Sequence, residues 1–588
     1  MIKKSNTLKE IFTEALKSYK GKNLKTAENL CYKILSIDPN HFGSVFLLAN
    51  ISAINNNFKN AKKLLEKAIE IDPKNLSAIN NLATAHKELG ELNESIKLYE
   101  KTLEISPNNP NALYNLGVVY FILKDLKKAK NYFKKTIEAQ PNYVIAHFNL
   151  GNVQAELKEY EKAKKSYEKV IEFKPDYASA HNNLGLIFRA LGDYIGAINS
   201  YKKVIEIFPK HAGAYNNMGR AFTEMGEFEK AIEAHKNATD IEPENLYHYF
   251  YLSELKKDFL NSELEKKVIN ILNKNKTSKT NKAFGNFLLS RYEKNKKNYK
   301  KEVDYLVKAH GHYFDIKKEK FELGVKYCFE DVLQISNFAS VTKSDSGKDA
   351  EVKPIFIVGV PRCGSTLVEK IIGSCKELIP MGEEIAILEN FINYKILEKQ
   401  STSLGKADDI RKELIEIYNK KDLVKKDKGY VFTDKSLNNF FYLQIIKDIF
   451  PKAKIINCKR SVLASIMSIM QNNLTELAWA HKLENIFKYF DIYFNTITKF
   501  KEKNPDLMYE LEFENFTNNP EDESKKLLEF CELTWDKKCL EYYKRKDIIS
   551  KTTSYQQVRK AVYKNSSERY LPYKEILSEY GSKYSWFK

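Results

Sequence analysis

The sequence predicts two architectures in one chain: an all-α solenoid of paired helices, then an α/β domain whose parallel sheet carries a P-loop-like turn. Three observations predict it. Prolines stand at 39, 73, 107, 141, 175, 209 and 243, one constant step apart. Small residues keep the same step in two further columns: Ala49, Ala83, Gly117, Gly151, Gly185 and Gly219, and Ala27, Ala61, Ser95, Ala129, Ala163, Ala197 and Ala231. At Pro354 the pattern changes to an apolar β-branched run, a glycine-bearing turn and an apolar periodic segment.

The columns fit paired helices. Each proline closes a helix because it cannot continue the hydrogen-bond ladder. The small residues sit where two helix backbones approach closely, and Leu and Tyr at helical spacing, as in Leu116/Tyr120 and Leu150/Tyr160, fill the remaining contact. One such unit cannot bury its own apolar face, so the units must stack. The pattern resembles the tetratricopeptide repeat over residues 6–255. That resemblance implies a concave face that takes a peptide or a partner protein. Asn80/Asn81, Asn182/Asn183 and Asn216/Asn217, with Asn115 and Asn149, recur on the groove-facing helices of such arrays, where amides can clamp a peptide backbone. The other reading of these asparagines is plain exposed polarity. Residues 256–340 stay helical but lose the period, as a cap would, and the polar stretch 340–354 reads as a linker. The expected domains are therefore a repeat array over 1–255, a helical cap and linker over 256–345, and a catalytic domain over 346–588.

Composition narrows the function classes. With 588 residues, more than one core is expected. The net charge of +19 is mostly lysine spread along the chain, which reads as solvated helix faces and leaves room for a local polyanion site. No aromatic-plus-basic stacking motif points to nucleic acid. Seven cysteines without a CxxC pair or a zinc-spaced Cys/His cluster favour a reduced compartment and no metal. Neither an apolar leader core nor an eighteen-residue apolar window is visible, so a cytoplasmic protein without a membrane span is expected.

The run Ile355–Val358, Gly359, Pro361, Gly364, Leu367–Ile372 reads as strand, phosphate loop, helix. Gly359 and Gly364 keep the Walker A spacing and Ser365 and Thr366 follow, but the lysine that would reach a nucleoside triphosphate is missing. Backbone N–H groups, the helix N-terminus and the two hydroxyls can still cradle a phosphate, with Arg362 adding a cation.

Pro361-Arg362-Cys363-Gly364-Ser365-Thr366-Leu367 resembles the 5′-phosphosulfate loop of sulfotransferases, in particular the tyrosylprotein sulfotransferase group with its P-R-S-G-T-T-L. The resemblance implies a three-layer α/β domain and 3′-phosphoadenosine 5′-phosphosulfate as sulfonate donor, held by Arg362, Cys363, Gly364, Ser365, Thr366 and Leu367. Three further segments follow in the family's order. Met381-Gly382-Glu383-Glu384 is similar to the C-G-E-E segment that supplies a catalytic base; alignment gives Glu384 that role, with Glu383 as the alternative. Asp434-Lys435 resembles the segment whose lysine neutralises the leaving oxygen. Arg460 and Ser468 keep the spacing of the 3′-phosphate pair, although Ser461 replaces the usual acidic residue. Ser554 and Arg569 match segments that close over the nucleotide, and Phe513-Glu514 stands where Tyr-Glu is common.

The implied function is sulfonate transfer to an acceptor hydroxyl, foremost a protein tyrosine, with the repeats recruiting substrate or partner. Ile385 and Ala386 stand where animal tyrosylprotein enzymes carry arginines, so a glycan, lipid or small-molecule hydroxyl is the alternative acceptor. A tetratricopeptide scaffold that binds nucleotide without catalysis is the alternative of a different class. The intact set Arg362, Glu384, Lys435, Arg460 and Ser468 argues against it.

Overall fold

The computed structural model describes residues 2–342, 352–398, 403–424, 431–545 and 567–587. The chain forms two compact units, Met1–Ala214 and Tyr215–Lys588.

The first unit is built of antiparallel helix pairs of the tetratricopeptide type, such as Pro110–Ile122 with Leu126–Ala139 and Val144–Glu156 with Tyr160–Phe173. The second helix of each pair stops just short of its proline: Ile105 precedes Pro107, Ala139 precedes Pro141 and Phe173 precedes Pro175. Side chains of Asn57, Asn75, Asn109, Asp125 and Asp193 cap helix N-termini by accepting a backbone N–H. The small-residue columns answer to large neighbours. A Cβ added at Gly151 would come within 2.7 Å of the Tyr167 ring, and one at Gly185 within 2.5 Å of Tyr201. Ala27, Ala61, Ala129, Ala163 and Ala197 are wholly buried.

Several of the recurring asparagines bond across successive repeats. Asn81 donates to Asn50 at 2.9 Å, Asn183 to Asn152 at 3.0 Å and Asn149 to Tyr114 at 3.0 Å. Each amide thus ties neighbouring units together as well as lining them. In the second unit, Asn216 is buried and pairs with His235 at 2.9 Å.

The second unit begins inside the last repeat. From Leu246 to Phe587 one continuous apolar core runs through the helices Leu246–Leu255, Lys279–Asn295 and Tyr299–Ile316 and on into the sheet domain. Phe250 meets Phe284 and Phe287 at 5.2 and 5.5 Å between ring centroids. The two compact units divide at 214/215, within the span read as the repeat array. The helices after 255 share the sheet domain's core, because their aromatic faces find partners there. The position read as a boundary at 346 lies outside the described residues.

Among the described residues the strands are β1 (Ser340–Thr342), β2 (Lys353–Gly359), β3 (Ser403–Lys406), β4 (Val431–Asp434), β5 (Lys454–Lys459) and β6 (Met508–Glu512). β1 pairs in parallel with β3, so the start of the polar stretch read as linker is a strand. Three residues are too few to show a period. The main sheet is parallel, in the order β4-β2-β5-β6. Ile355 to Val358 are all buried, as a central strand covered on both faces requires. The chain leaves β2 to one side for β4 and returns to its other side for β5. That makes the β2/β5 crevice the switch point, where ligands of open parallel sheets bind at the carboxyl ends.

A buried histidine pair fastens the helices to this domain. His310 Nε2 donates to the Met470 carbonyl at 2.8 Å, which leaves its Nδ1 to accept from His481 Nδ1–H at 2.9 Å. Burial lowers His310 to about 4 and His481 to about 2, so both are neutral. Histidines depressed in the folded state stabilise it above their unfolded value near 6.5 and withdraw that stability as pH falls below it. The pair's own contribution to the melting temperature is expected to fade as pH falls below about 6.5, read as the gap between the wild type and His310→Gln. A melt series from pH 7.5 to 4.5 measures it. Among the described residues no helix is long and apolar enough to cross a membrane, and all seven cysteines are free and buried.

Candidate active site

Three strand ends converge. β2 runs into the loop Val360–Gly364, and the helix Ser365–Gly373 starts immediately after it. Gly364 caps this helix in the left-handed region at φ 99°, where an added Cβ would also overlap the Phe513 ring, so only glycine serves. Glycine brings no capping side chain; the Ser365 backbone lies against the Cys363 sulfur, and the Leu367 N–H bonds the Gly364 carbonyl at 3.0 Å. Ser365 and Thr366 occupy the first turn, nearly buried. The Cys363 side chain is wholly buried, its sulfur against Cys458 and Ser365, and it would meet a Cβ at Gly359 at 2.7 Å.

Arg362, Arg460 and Ser468 meet. Arg362 takes a left-handed backbone at φ 72°. Its Nε donates to Ser468 Oγ at 3.0 Å, and Arg460 Nη1 donates to the Arg362 carbonyl at 2.9 Å. Arg460 follows β5, and Ser468 lies on the helix Val462–Met470. Sequence separation hides what supports this pair. The Phe513 ring lies 5.1 Å from the Arg460 guanidinium, a cation–π platform that needs no phenolic hydroxyl. Glu514 accepts the Ser461 backbone N–H at 3.1 Å, at the start of the Ser468 helix. An acceptor for that amide is thus supplied from a distant segment while Ser461 stands at the helix start. Arg569 sits on the turn Ser567–Tyr570, which packs against the same helix, and its Nη2 donates to Tyr570 Oη at 2.8 Å. Ser554 lies outside the described residues.

The second half of the site is a lysine among carboxylates. Segment 380–384 runs along β4 as an added short strand: Thr433 N–H bonds the Pro380 carbonyl, Lys435 N–H the Gly382 carbonyl and Glu384 N–H the Lys435 carbonyl. Lys435 Nζ thereby reaches Glu384 Oε1 at 2.9 Å and Glu383 Oε1 at 3.4 Å. The lysine side chain is wholly buried, whereas the Glu384 side chain is 44% exposed and that of Glu383 14%. Burial by itself would lower the lysine's pKa. The attraction of Glu384, Glu383 and Glu369 outweighs it and holds the ammonium charged well above the ordinary range. Glu384 carries a left-handed backbone at φ 52°, a strained conformation for a side chain of this size.

Buried groups that the sequence reading did not select fix the strand end. Asp434 accepts from Tyr418 Oη at 2.6 Å, Ser436 Oγ at 2.7 Å and Asn439 Nδ2 at 3.0 Å. Burial lifts its carboxyl to about 6 against those three donors. Ser436 Oγ also accepts the Ala386 N–H at 2.9 Å, pinning the chain after the glutamate pair. The arrangement offers an anion cradle, a two-arginine clamp, a permanently charged lysine and a solvent-reaching carboxylate beside it.

Comparison with known proteins was made on sequence and on structure. Residues 354–537 match the family model described as "Sulfotransferase family". Residues 85–123 match "TPR repeat", 110–143, 144–177 and 176–243 match "Tetratricopeptide repeat", and 20–102 match "Anaphase-promoting complex, cyclosome, subunit 3". An uncharacterized protein of Aquifex aeolicus (strain VF5) is 28% identical over 327 residues, covering 52% of this chain and 42% of its own. The chain thus spans well under half the length of that relative. Among solved structures, MamA is 27% identical over 28% of this chain and 95% of its own, with a TM-score of 0.27. YrrB, described as a TPR protein with an unusual peptide-binding site, is 26% identical over 32% and 97%, with a TM-score of 0.30.

Proposed function

Taking as premise a chain in which a sulfotransferase-family domain follows tetratricopeptide repeats, we propose that this protein moves the sulfonate of 3′-phosphoadenosine 5′-phosphosulfate to an acceptor hydroxyl, foremost the phenol of a protein tyrosine brought by the repeats. The observation that carries this reading is the juxtaposition of Lys435 with Glu384 at the end of β4, next to a phosphate loop without a Walker lysine.

Each half of the site has a task. The N-terminus of helix Ser365–Gly373, with the Ser365 and Thr366 hydroxyls, holds the 5′-phosphosulfate. Arg460 and Ser468 hold the 3′-phosphate, for which a guanidinium fork is suited, and Arg362 links them to the loop. Arg569 approaches from the turn beside the Ser468 helix. Glu384 takes the acceptor's proton as its oxygen attacks sulfur. It is favoured over Glu383 because it is the more exposed of the two and still touches Lys435. Lys435 moves one N–H from the carboxylates to the bridging oxygen, whose negative charge grows as the S–O bond to the 5′-phosphate breaks. Positioning and electrostatics supply most of such catalysis.

The donor half is tested by calorimetric titration with adenosine 3′,5′-bisphosphate. Binding is expected, with ATP weaker, and Arg460→Ala is expected to weaken it by about tenfold to a hundredfold, the worth of a charge-assisted hydrogen bond. No binding to the wild type, or an unchanged affinity in Arg460→Ala, contradicts the assignment.

A further inference from the structure

Glu369 is a charged residue type on the apolar helix Ser365–Gly373, 1% exposed, and neither the loop nor the acid–base pair accounts for it. Its Oε1 accepts from Thr433 Oγ1 at 2.7 Å. Thr433 Oγ1 in turn accepts the Gly382 N–H at 3.1 Å. Gly382 immediately precedes Glu383 and Glu384, and Thr433 lies two residues before Lys435. The chain Glu369–Thr433–Gly382 therefore joins three pieces: the helix that starts at the phosphate loop, the strand that delivers the lysine, and the segment that delivers the base.

We propose that Glu369 is a positioning residue that locks the glutamate-bearing segment and Lys435 to the helix of the phosphate loop, so that donor and acceptor halves hold one geometry. This rests on the reading of the site as a sulfonate-transfer centre. The role asks Glu369 for an acceptor oxygen, not for a charge. The surroundings agree. Glu369 faces Lys435 and Cys458 from the strands and Glu383 and Glu384 from the segment beside them. Three ionised carboxylates around one ammonium would leave an excess of negative charge in a buried place. Burial, against the pull of Lys435 and with the push of Glu383, raises Glu369 to about 8, so that it is the carboxylate that keeps its proton at neutral pH.

Two variants of the full chain test this. Glu369→Gln keeps the acceptor oxygen and removes the ionisable group; Glu369→Ala removes both. At pH 7 the Gln variant is expected to keep kcat within about threefold, and the Ala variant to lose about 100-fold, as a displaced catalytic pair would. Above about pH 8 an ionised Glu369 competes with Glu383 and Glu384 for Lys435, so the wild-type kcat profile is expected to bend there and the Gln profile to lack that bend. A second readout needs no activity. A carboxyl raised from 4.5 to about 8 stabilises the fold below its unfolded value and loses that contribution as pH climbs through the folded one. The melting temperature of Glu369→Gln should therefore gain on the wild type from pH 5 to about pH 8 and hold its lead above that. A constant gap, or a Gln variant as impaired as the Ala variant, overturns the proposal. If the wild type transfers no sulfonate at all, the functional reading falls by itself and the melting series still decides the position of Glu369.

Discussion

Lys435→Met is expected to reduce sulfonate transfer by at least about a thousandfold, the scale seen when a single preorganised donor to a developing negative charge is removed. The same substitution should destabilise the second unit by about 3–5 kcal/mol, because it takes from Glu383 and Glu384 the buried ammonium that both of them meet. Glu384 can turn to water, since nearly half of its side chain is already exposed, but most of Glu383 has no such route. Chemical denaturation and single-turnover transfer measure the two effects separately. Arginine is not expected to rescue either, because the Lys435 side chain has no exposed surface into which a larger guanidinium could expand.

Glu384→Gln should have the second largest effect and a different signature. Loss of a general base costs about 10²–10⁴-fold in kcat, while affinity for adenosine 3′,5′-bisphosphate should be unchanged. The melting temperature should hold or rise slightly, since the amide still accepts from Lys435 and the negative charge around the lysine is reduced. Glu383→Gln is expected to cost far less, its side chain being mostly covered. The reverse ranking would move the base to Glu383. Measuring kcat and product affinity for both variants at one pH is sufficient.

The architecture was legible because it is periodic. Proline and small-residue columns report helix ends and helix approaches within a unit, and both are local consequences of chain chemistry. The strand, loop and helix at residues 354–372 were legible for the same reason: β-branching, glycine and an apolar face are read within a few residues of one another. The resemblance implied that Arg362, Arg460 and Ser468 serve one donor, and the sheet order places β5, which Arg460 follows, directly beside β2. What escaped the sequence depends on distant partners. Phe513 reads as a lost hydroxyl until its ring is found between Gly364 and Arg460. Glu369 drew no reading from the sequence, because its partners Thr433 and Gly382 lie far along the chain. The helices after residue 255 read as a cap, whereas their aromatic residues complete the sheet domain's core. The asparagines read as ligand contacts or bare polarity, and several of them also bond a neighbouring repeat.

The account's central claim is tested most directly by incubating the full chain with sulfur-labelled 3′-phosphoadenosine 5′-phosphosulfate, a tyrosine-containing acidic peptide and its phenylalanine counterpart, alongside Glu384→Gln. The account predicts label in the tyrosine peptide only, and almost none with the variant. Donor bound tightly with no label transferred to any hydroxyl, or equal transfer by Glu384→Gln, would contradict it.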